Sequence, residues 1–265
     1  MACWRLIVDG AANGASNMAI DETLLESLED DAPPILRLYS WRPAALSLGR
    51  SQSLVGDRRY LRDEGIDLVR RPTGGQAVLH EFERTYAVIG RLDRAPFGGV
   101  IATYGAIAAA LDDAFRSLGV ETRQADPTTR AERDRSPVCF ASPSAHELLA
   151  EGRKFVGSAQ MRRGSRFLQH GSILIEADPK RLGATLGVDP DAESWTDLTR
   201  VLGRRPSDEE LDQAIIDAFR RQFTIEFTSR PLSDAEQLRA TQLRTQKYLD
   251  AGWTLDGRRP SDSAS

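Results

Sequence analysis

The stretch EGRKFVGSAQMRRGSRFLQHGSILIE (residues 151–176) decides the fold that we expect for this chain. Glu151-Gly152 and Arg163-Gly164-Ser165 are turn signals, and they bracket the extended segment RKFVGSAQMR. SAHELLA precedes the first turn and RFLQHGSILIE follows the second. Three extended segments joined by two tight turns predict an antiparallel meander of three strands.

The rest of the chain adds strands and helices around this meander. Segments rich in β-branched and aromatic residues predict strands at 4–9, 35–41, 45–49, 66–71, 76–80 and 84–90. Helices are expected after an N-cap at Ser16 or Asn17, over 54–64 and 100–118, and after the capping-box pairs Ser207/Glu210 and Ser233/Glu236. Hairpins mixed with separate helices predict an α+β fold, with a mixed, largely antiparallel sheet, flanking helices and a helical C-terminal segment.

The 265 residues are enough for one large domain with a small appendage. We place the main domain at 1–230, a C-terminal helical appendage at 231–256 and a disordered tail at 257–265. The charged, proline-bounded segment DPTTRAERDRSP (126–137) is expected to be a mobile surface loop.

Composition narrows the class of protein. Hydrophobic residues make up 40% and charged residues 28%, and no apolar run is long enough to span a membrane. A net charge of −4 argues against nucleic acid as a partner. The first residues show no secretory signal, and two cysteines are too few for a disulfide framework. We therefore expect a cytoplasmic protein that uses neither membrane nor nucleic acid, and a monomer is the default expectation.

Cys139 lies in SPVCFASPS (136–144), between two prolines that fix the local backbone. A thiol on such a loop is suited to accept an acyl group, because thiolate is strongly nucleophilic and its thioester stays reactive. The alternative is a small buried residue, which is the usual role of a free cysteine. Cys3, at the start of a predicted core strand, fits that alternative better.

Lys154 is one of only three lysines among 35 basic residues, with Lys180 and Lys247. An amine retained in an arginine-rich chain suggests chemistry that guanidinium cannot perform, such as giving up a proton. Near a thiol, Lys154 would lower the thiol pKa or act as a base. The alternative is a solvent-facing lysine at a strand end.

Two further segments are candidates for ligand binding. RRPTGG (70–75) places two arginines and two glycines on one turn, where backbone N–H groups favour anions or polarised carbonyls. GSAQ (157–160) and QHGS (169–172) put small residues on adjacent strands, where they would either leave a slot for a ligand chain or allow close strand packing.

Histidines offer a base but no metal site. His80, His146 and His170 lack zinc-ligand spacing, so we expect no metal and no cofactor. His80 or His170 could pair with Cys139 as its base. The sequence contains neither a GxSxG nucleophile elbow nor a phosphate-binding loop.

Two of these runs resemble the signatures of the biotin/lipoate protein ligase superfamily. RRPTGGQAVLHE (70–81) resembles its arginine–glycine–histidine motif, and EGRKFVGSAQMRRGSRFLQHGSI (151–173) resembles its lysine and histidine–glycine strands. VCFASPSAHELLAEGRK (138–154) is most similar to octanoyltransferases of the LipM type, as is KYLDAGWTL (247–255). Gln76, Glu81 and His146 depart from the pattern, which bears on chain length and donor preference.

The resemblance implies a fold, a reaction and a set of site residues. The fold is that of the biotin/lipoate ligase catalytic domain, over 1–230. An octanoyl group would pass from acyl carrier protein to Cys139, with Lys154 assisting, and then to a lysine of a lipoyl domain such as the glycine cleavage H protein. The substrate-binding residues would be Arg70, Arg71, Thr73, Gly74, Gly75, His80, Gly157, Ser158, Ala159, His170 and Gly171.

Three other functions remain open at the level of sequence. An ATP-dependent lipoate–protein ligase would make Cys139 incidental. An amidotransferase would move octanoyl groups between lipoyl domains and use an amide donor. A non-catalytic protein would bind acylated carrier domains without transferring the acyl group.

Overall fold

The computed structural model describes residues 2–124, 148–186 and 195–258. Its strands are β1 (Ala2–Ala12), β2 (Ile35–Trp41), β3 (Ala45–Leu48), β4 (Asp67–Arg70), β5 (Val78–His80), β6 (Glu83–Arg91), β7 (Thr122–Gln124), β8 (Leu148–Ala150), β9 (Arg153–Lys154), β10 (Val156–Arg163), β11 (Arg166–Leu174) and β12 (Ile225–Ser229). Its helices are α1 (Gly14–Ser27), α2 (Arg58–Asp63), α3 (Val100–Ser117), α4 (Pro179–Leu186), α5 (Leu198–Leu202), α6 (Asp208–Phe223), α7 (Asp234–Leu243) and α8 (Ala251–Asp256). A π-helical segment, Arg244–Tyr248, joins α7 to α8.

A six-stranded sheet of order β10-β11-β6-β2-β1-β12 forms the centre of the fold. Its first three strand pairs are antiparallel, and β1 runs parallel to both β2 and β12. Two three-stranded sheets, β4-β3-β5 and β7-β8-β9, lie beside it. The predicted α+β class, with a mixed and largely antiparallel sheet, is confirmed.

The predicted three-stranded meander is divided between two sheets, which corrects our expectation. β10 and β11 form the expected hairpin around Gly164, whose φ is +62°. The preceding segment breaks at Phe155, which is fully buried. β9 therefore pairs with β8 in the small sheet, whereas β10 pairs with β11 in the large one.

Alternating side chains of the large sheet supply two hydrophobic cores. One face, with Leu36, Leu38 and Phe167, packs against α3 and α6. The opposite face, with Tyr39 and Leu168, packs against α1 and the C-terminal helices. A third core lies beneath the β4-β3-β5 sheet.

Helix α1 begins earlier than predicted and buries two acidic residues. Its N-cap is Asn13, whose side chain accepts a hydrogen bond from the Ser16 amide, instead of Ser16 or Asn17. Asp21 and Glu22 are both buried on the sheet side of this helix. A charge in such a position requires partners, because burial disfavours an unpaired carboxylate.

Glu22 ties α1 to the C-terminal segment. Its carboxylate accepts hydrogen bonds from Lys247 Nζ at 2.7 and 2.9 Å and from Tyr248 Oη at 2.6 Å. Lys247 Nζ also lies 4.1 Å from the centre of the Trp253 ring, a cation–π contact. The proposed appendage at 231–256 is thus held against the main domain by a buried ion pair.

Both predicted capping residues are confirmed in the C-terminal half. Ser207 caps α6 and Ser233 caps α7, where Glu236 completes the capping box. Cys3 corrects another expectation: it is exposed on β1, with its Sγ 3.0 Å from Thr228 Oγ1. Within the described ranges, no helix is long and apolar enough to cross a bilayer.

Candidate functional site

A partly open cavity of about 390 Å³ lies between α1, the large sheet and the turn that follows β4. Its lining residues are Met18, Tyr39, Trp41, Arg71, Gly75, Val78, His80, Thr85, Gly157, Ser158, Ala159, His170, Gly171 and Ser172. Residues from three separate sequence motifs therefore meet around one space. The volume includes the space at its solvent-facing opening.

Arg71 holds the RRPTGG turn in shape at the cavity wall. Its Nη1 donates to the carbonyl and hydroxyl oxygens of Ser47, and its Nη2 donates to the carbonyls of Gly74 and Gln76. Gly75 has φ +92°, a conformation that glycine adopts without strain. Glycine is also required at position 49, because a Cβ there would lie 1.8 Å from Gly75 O.

Arg70 points away from the cavity. Its guanidinium donates to six backbone carbonyls, at 2.6–3.2 Å, in two segments that approach it from opposite sides. These carbonyls belong to Gly49, Arg50, Gln52, Trp253, Thr254 and Leu255. This geometry favours a structural role for Arg70 over the substrate-binding role expected from the motif.

His80 lines the cavity, and its two ring nitrogens lie close to Ser47 and Glu83. Its Nε2 lies 2.7 Å from Ser47 Oγ, and its Nδ1 lies 2.9 Å from Glu83 Oε1, outside hydrogen-bond geometry. Trp41 stacks on the imidazole at 3.9 Å between ring centres. Burial lowers the pKa of His80; Glu83 opposes this shift, and Arg71 adds to it. The ring is therefore neutral at neutral pH.

His170 is held in a similar way from the other side of the cavity. Its Nε2 lies 2.7 Å from Thr73 Oγ1, and its Nδ1 lies 2.9 Å from Asp21 Oδ2. Asp21 also accepts from Arg37 Nη1 at 2.7 Å and from Tyr39 Oη at 2.8 Å. Burial acts to raise the pKa of Asp21, but these partners outweigh it and lower that pKa, so the carboxylate is ionised.

The small residues of β10 and β11 serve both purposes that the sequence left open. Gly157, Ala159 and Gly171 line the cavity, as a slot requires. Gly171 also permits close packing, since a Cβ there would lie 2.5 Å from Tyr86 Cε1 and 2.7 Å from Ser158 Oγ. The Tyr86 hydroxyl fills the adjacent space with a 2.7 Å hydrogen bond to Ser158 Oγ.

Lys154 is buried, which excludes a solvent-facing lysine. Its backbone pairs with Leu149 and Trp195, and its carbonyl accepts from the Thr196 amide at 2.9 Å. It is not among the residues that line the cavity. Cys139 and His146, the loop at 126–137 and most of the tail lie outside the described residues.

Thr73 and Gly74 were also predicted to bind substrate. Neither lines the cavity, and Thr73 instead contacts His170 from behind the wall. In the part of the chain that the structure describes, no cluster of three metal-binding side chains occurs.

Sequence reasoning missed several cavity residues. They are Met18 in α1, Tyr39 and Trp41 in β2, Val78 in β5 and Thr85 in β6. The Ser172 hydroxyl is buried and has no hydrogen-bond partner among the described residues. One available signal was overlooked: acidic Asp21-Glu22 sits inside the apolar run MAIDETLL, which indicates a buried, paired charge.

Comparison with known proteins places the chain among lipoate-assembly enzymes. The family model of the lipoyl protein ligase A/B catalytic domain matches residues 13–220. Octanoyltransferase LipM of Moorella thermoacetica is 38% identical, over 94% of this chain and 97% of its own length. Octanoyltransferase LipM of Carboxydothermus hydrogenoformans is 36% identical, over 96% and 98%.

A solved structure extends the likeness to three dimensions. Lipoate-protein ligase A bound with ATP superposes with a TM-score of 0.85, covering 97% of this chain and 100% of that one. At 24% sequence identity, this similarity concerns the fold alone.

Proposed function

The chain belongs to the lipoyl protein ligase A/B catalytic domain family, and from this premise we propose how it acts as an octanoyltransferase of lipoate biosynthesis. The observation that carries the proposal is the meeting of the motif residues around one cavity. Arg71, Gly75 and His80 come from the run 70–81. Gly157 and His170 come from the run 151–173, about 80 residues later in the chain.

We propose that this cavity holds the octanoyl chain. Its wall combines apolar side chains, such as Met18 and Val78, with glycines that leave room for a ligand. Burial of a hydrocarbon contributes about 0.8 kcal/mol per CH₂, so an apolar slot supplies much of the donor affinity. The Ser172 hydroxyl, buried without a hydrogen-bond partner among the described residues, marks the part of the wall suited to a carbonyl.

The proposed reaction passes through a thioester on Cys139. The Cys139 thiolate attacks the carbonyl carbon of octanoyl-acyl carrier protein, and the carrier thiol leaves. The lysine amine of a lipoyl domain then attacks the enzyme thioester. An amide forms, and the Cys139 thiolate is released for another cycle.

Lys154 is proposed to assist at the thiol. A buried amine gives up its proton more readily than a solvated one, and its charged form would stabilise a thiolate or an oxyanion. The burial of Lys154 at the start of the strand that leads into Gly157 supports this role.

The partners follow from the same chemistry. We propose acyl carrier protein as donor and a lipoyl-domain protein, such as the glycine cleavage H protein, as acceptor. The enzyme would work as a cytoplasmic monomer.

Mass spectrometry of the enzyme mixed with octanoyl-acyl carrier protein tests the proposal. We expect an adduct of octanoyl mass that is lost in Cys139→Ala and retained in the control Cys3→Ala, since both side chains are thiols. Activity that requires ATP and survives Cys139→Ala would establish a ligase. Turnover with an amide donor alone would establish an amidotransferase, and binding without any transfer would establish a carrier-binding protein.

A further inference from the structure

A buried chain of hydrogen bonds connects α1 to the turn at the cavity wall. It runs from Arg37 to Asp21, from Asp21 to His170 Nδ1, and from His170 Nε2 to the hydroxyl of Thr73. Arg37, Asp21 and Thr73 are completely buried, and His170 is 4% exposed. Water therefore does not compete for these contacts, and each group depends on its partner in the chain.

The carboxylate dictates the protonation of the imidazole. An ionised Asp21 accepts hydrogen bonds only, so His170 Nδ1 must carry a proton. Asp21 Oδ2 also accepts from Tyr39 Oη, and Oδ1 accepts from Arg37, so the orientation of the carboxylate is fixed. With Nδ1 directed at Asp21, the other ring nitrogen, Nε2, lies 2.7 Å from the Thr73 hydroxyl.

Thr73 is thereby fixed from two sides. Its hydroxyl contacts His170, and its carbonyl accepts from the Arg50 amide at 2.8 Å. The next residues are Gly74 and Gly75, and Gly75 lines the cavity. Glycines have no side chains to anchor them, so the position of this wall depends on its neighbours.

We propose that Asp21 and His170 are positioning residues, which hold Thr73 and so set the place of the Gly74-Gly75 wall against the octanoyl chain. This inference rests on the proposed function of the cavity. It gives His170 a role other than that of base for a thiol, because each of its nitrogens already has a partner in the wall-holding chain.

Thr73→Val tests the inference, with Thr73→Ser as its matched control. Valine keeps the shape and removes the hydroxyl, leaving Nε2 of His170 without its hydrogen-bond partner, whereas serine restores the partner. We expect Thr73→Val to raise KM for octanoyl-acyl carrier protein about tenfold and to leave the single-turnover acylation rate at saturating donor within about twofold. Thr73→Ser should return KM to within about twofold of the parent value.

Nitrogen-15 NMR of the imidazole gives a readout that does not depend on acyl transfer. We expect a protonated Nδ1 on His170 in the parent protein, and a smaller protonated fraction at Nδ1 in Asp21→Asn. If Asp21→Asn fails to fold, the protonation of Nδ1 in the parent protein and the kinetics of Thr73→Val and Thr73→Ser still test the inference.

Several outcomes would overturn the positioning role. A fall in the acylation rate with unchanged KM in Thr73→Val would place His170 in the chemistry. Unchanged kinetics, or a His170 Nδ1 that carries no proton, would overturn the chain from Asp21 to Thr73. Absence of any acyl-enzyme in the parent protein would instead overturn the proposed function. In that case the NMR measurement of His170 still tests whether the hydrogen bond to Asp21 is present.

Discussion

Gly171 both lines the cavity and packs closely against the neighbouring strands. Gly171→Ala would push a Cβ to within 2.5 Å of Tyr86 Cε1, so we expect it to lower the free energy of unfolding by about 2 kcal/mol. Gly105→Ala is the control, because Gly105 lies in α3 with no atom within 4 Å of a new Cβ. That change should stabilise the protein by about 0.5–1 kcal/mol. Urea unfolding of both variants checks the pair; equal effects would contradict the close contact.

Substitution of Lys154 by arginine separates the electrostatic role of this side chain from a role in proton transfer. Lys154→Arg keeps a cation but supplies no base at neutral pH, so we expect the acylation rate to fall by about 100-fold or more. Lys180→Arg, on exposed Lys180, is the control and should leave the rate unchanged. Single-turnover acylation measures both. A near-normal rate in Lys154→Arg would leave Lys154 an electrostatic or structural role only.

Individual residues were predictable where a motif names them and not where only folding brings them together. The motif predicted His80 and His170, and both line the cavity. Their carboxylate partners, Glu83 and Asp21, differ in sequence distance: Glu83 follows His80 by three residues, whereas Asp21 lies 149 residues from His170. No local pattern pairs residues across that distance. The same limit explains Arg70, since the carbonyls that it binds include residues 183–185 positions away.

The capping box of α7 makes one element sensitive to pH. Burial opposes ionisation of Glu236, but hydrogen bonds from Arg5 and Ser233 outweigh it and lower its pKa from 4.5 to about 2. A carboxylate with a depressed pKa stabilises the folded state above the unfolded-state pKa and loses this contribution as pH falls towards the folded-state value. Acid should therefore weaken the attachment of α7 between pH 4.5 and about 2.

Glu236→Gln tests this attachment. At pH 7 we expect the variant to lose about 2 kcal/mol of unfolding free energy, allowing for partial exposure of the pair. The difference from the parent protein should shrink as pH falls below 4.5. Urea unfolding at pH 7 and pH 3 measures it, with Glu121→Gln, at an exposed position, as control. A difference that is independent of pH would show that ionisation of Glu236 contributes nothing.

Elements were predicted well where the local signal was complete. The β10–β11 hairpin, α3 and the capped starts of α6 and α7 follow from turns, caps and periodicity. The division of the meander at Phe155 was not predictable, because an extended segment looks the same whichever sheet it joins. Its partner strands, β7 and β8, are three residues long and carry little pattern. The N-cap of α1 was misplaced because Asn13, Ser16 and Asn17 are all good capping residues.

At the scale of the molecule, Arg70 joins the C-terminal helix to the cavity turn. Lysine has three donors on a single point and cannot reach carbonyls on both sides, so Arg70→Lys should loosen α8. We expect amide exchange in residues 251–257 to accelerate roughly tenfold, as loss of about one net hydrogen bond predicts. Exchange mass spectrometry measures this, with the exposed Arg58→Lys as control. Unchanged exchange in α8 would remove Arg70 as the link.

The overall fold could be predicted from the sequence because the two motifs also contain the patterns of strands and turns. The resemblance specified which segments lie together, and the α+β class followed from the order of hairpins and helices. The sequence did not predict how the C-terminal helices pack against α1 and β4, because the polar contacts that fix them join single residues far apart in the chain.

Glu22 and its neighbour Asp21 have a consequence for protein engineering. One of these adjacent carboxylates anchors the last helices through Lys247 and Tyr248, and the other serves the cavity through His170. A graft that exchanged the C-terminal segment between two relatives would therefore need an acidic residue at the position of Glu22 in the recipient's first helix. A transplanted lysine without that carboxylate would be left half-buried with no counter-charge, which destabilises the folded state.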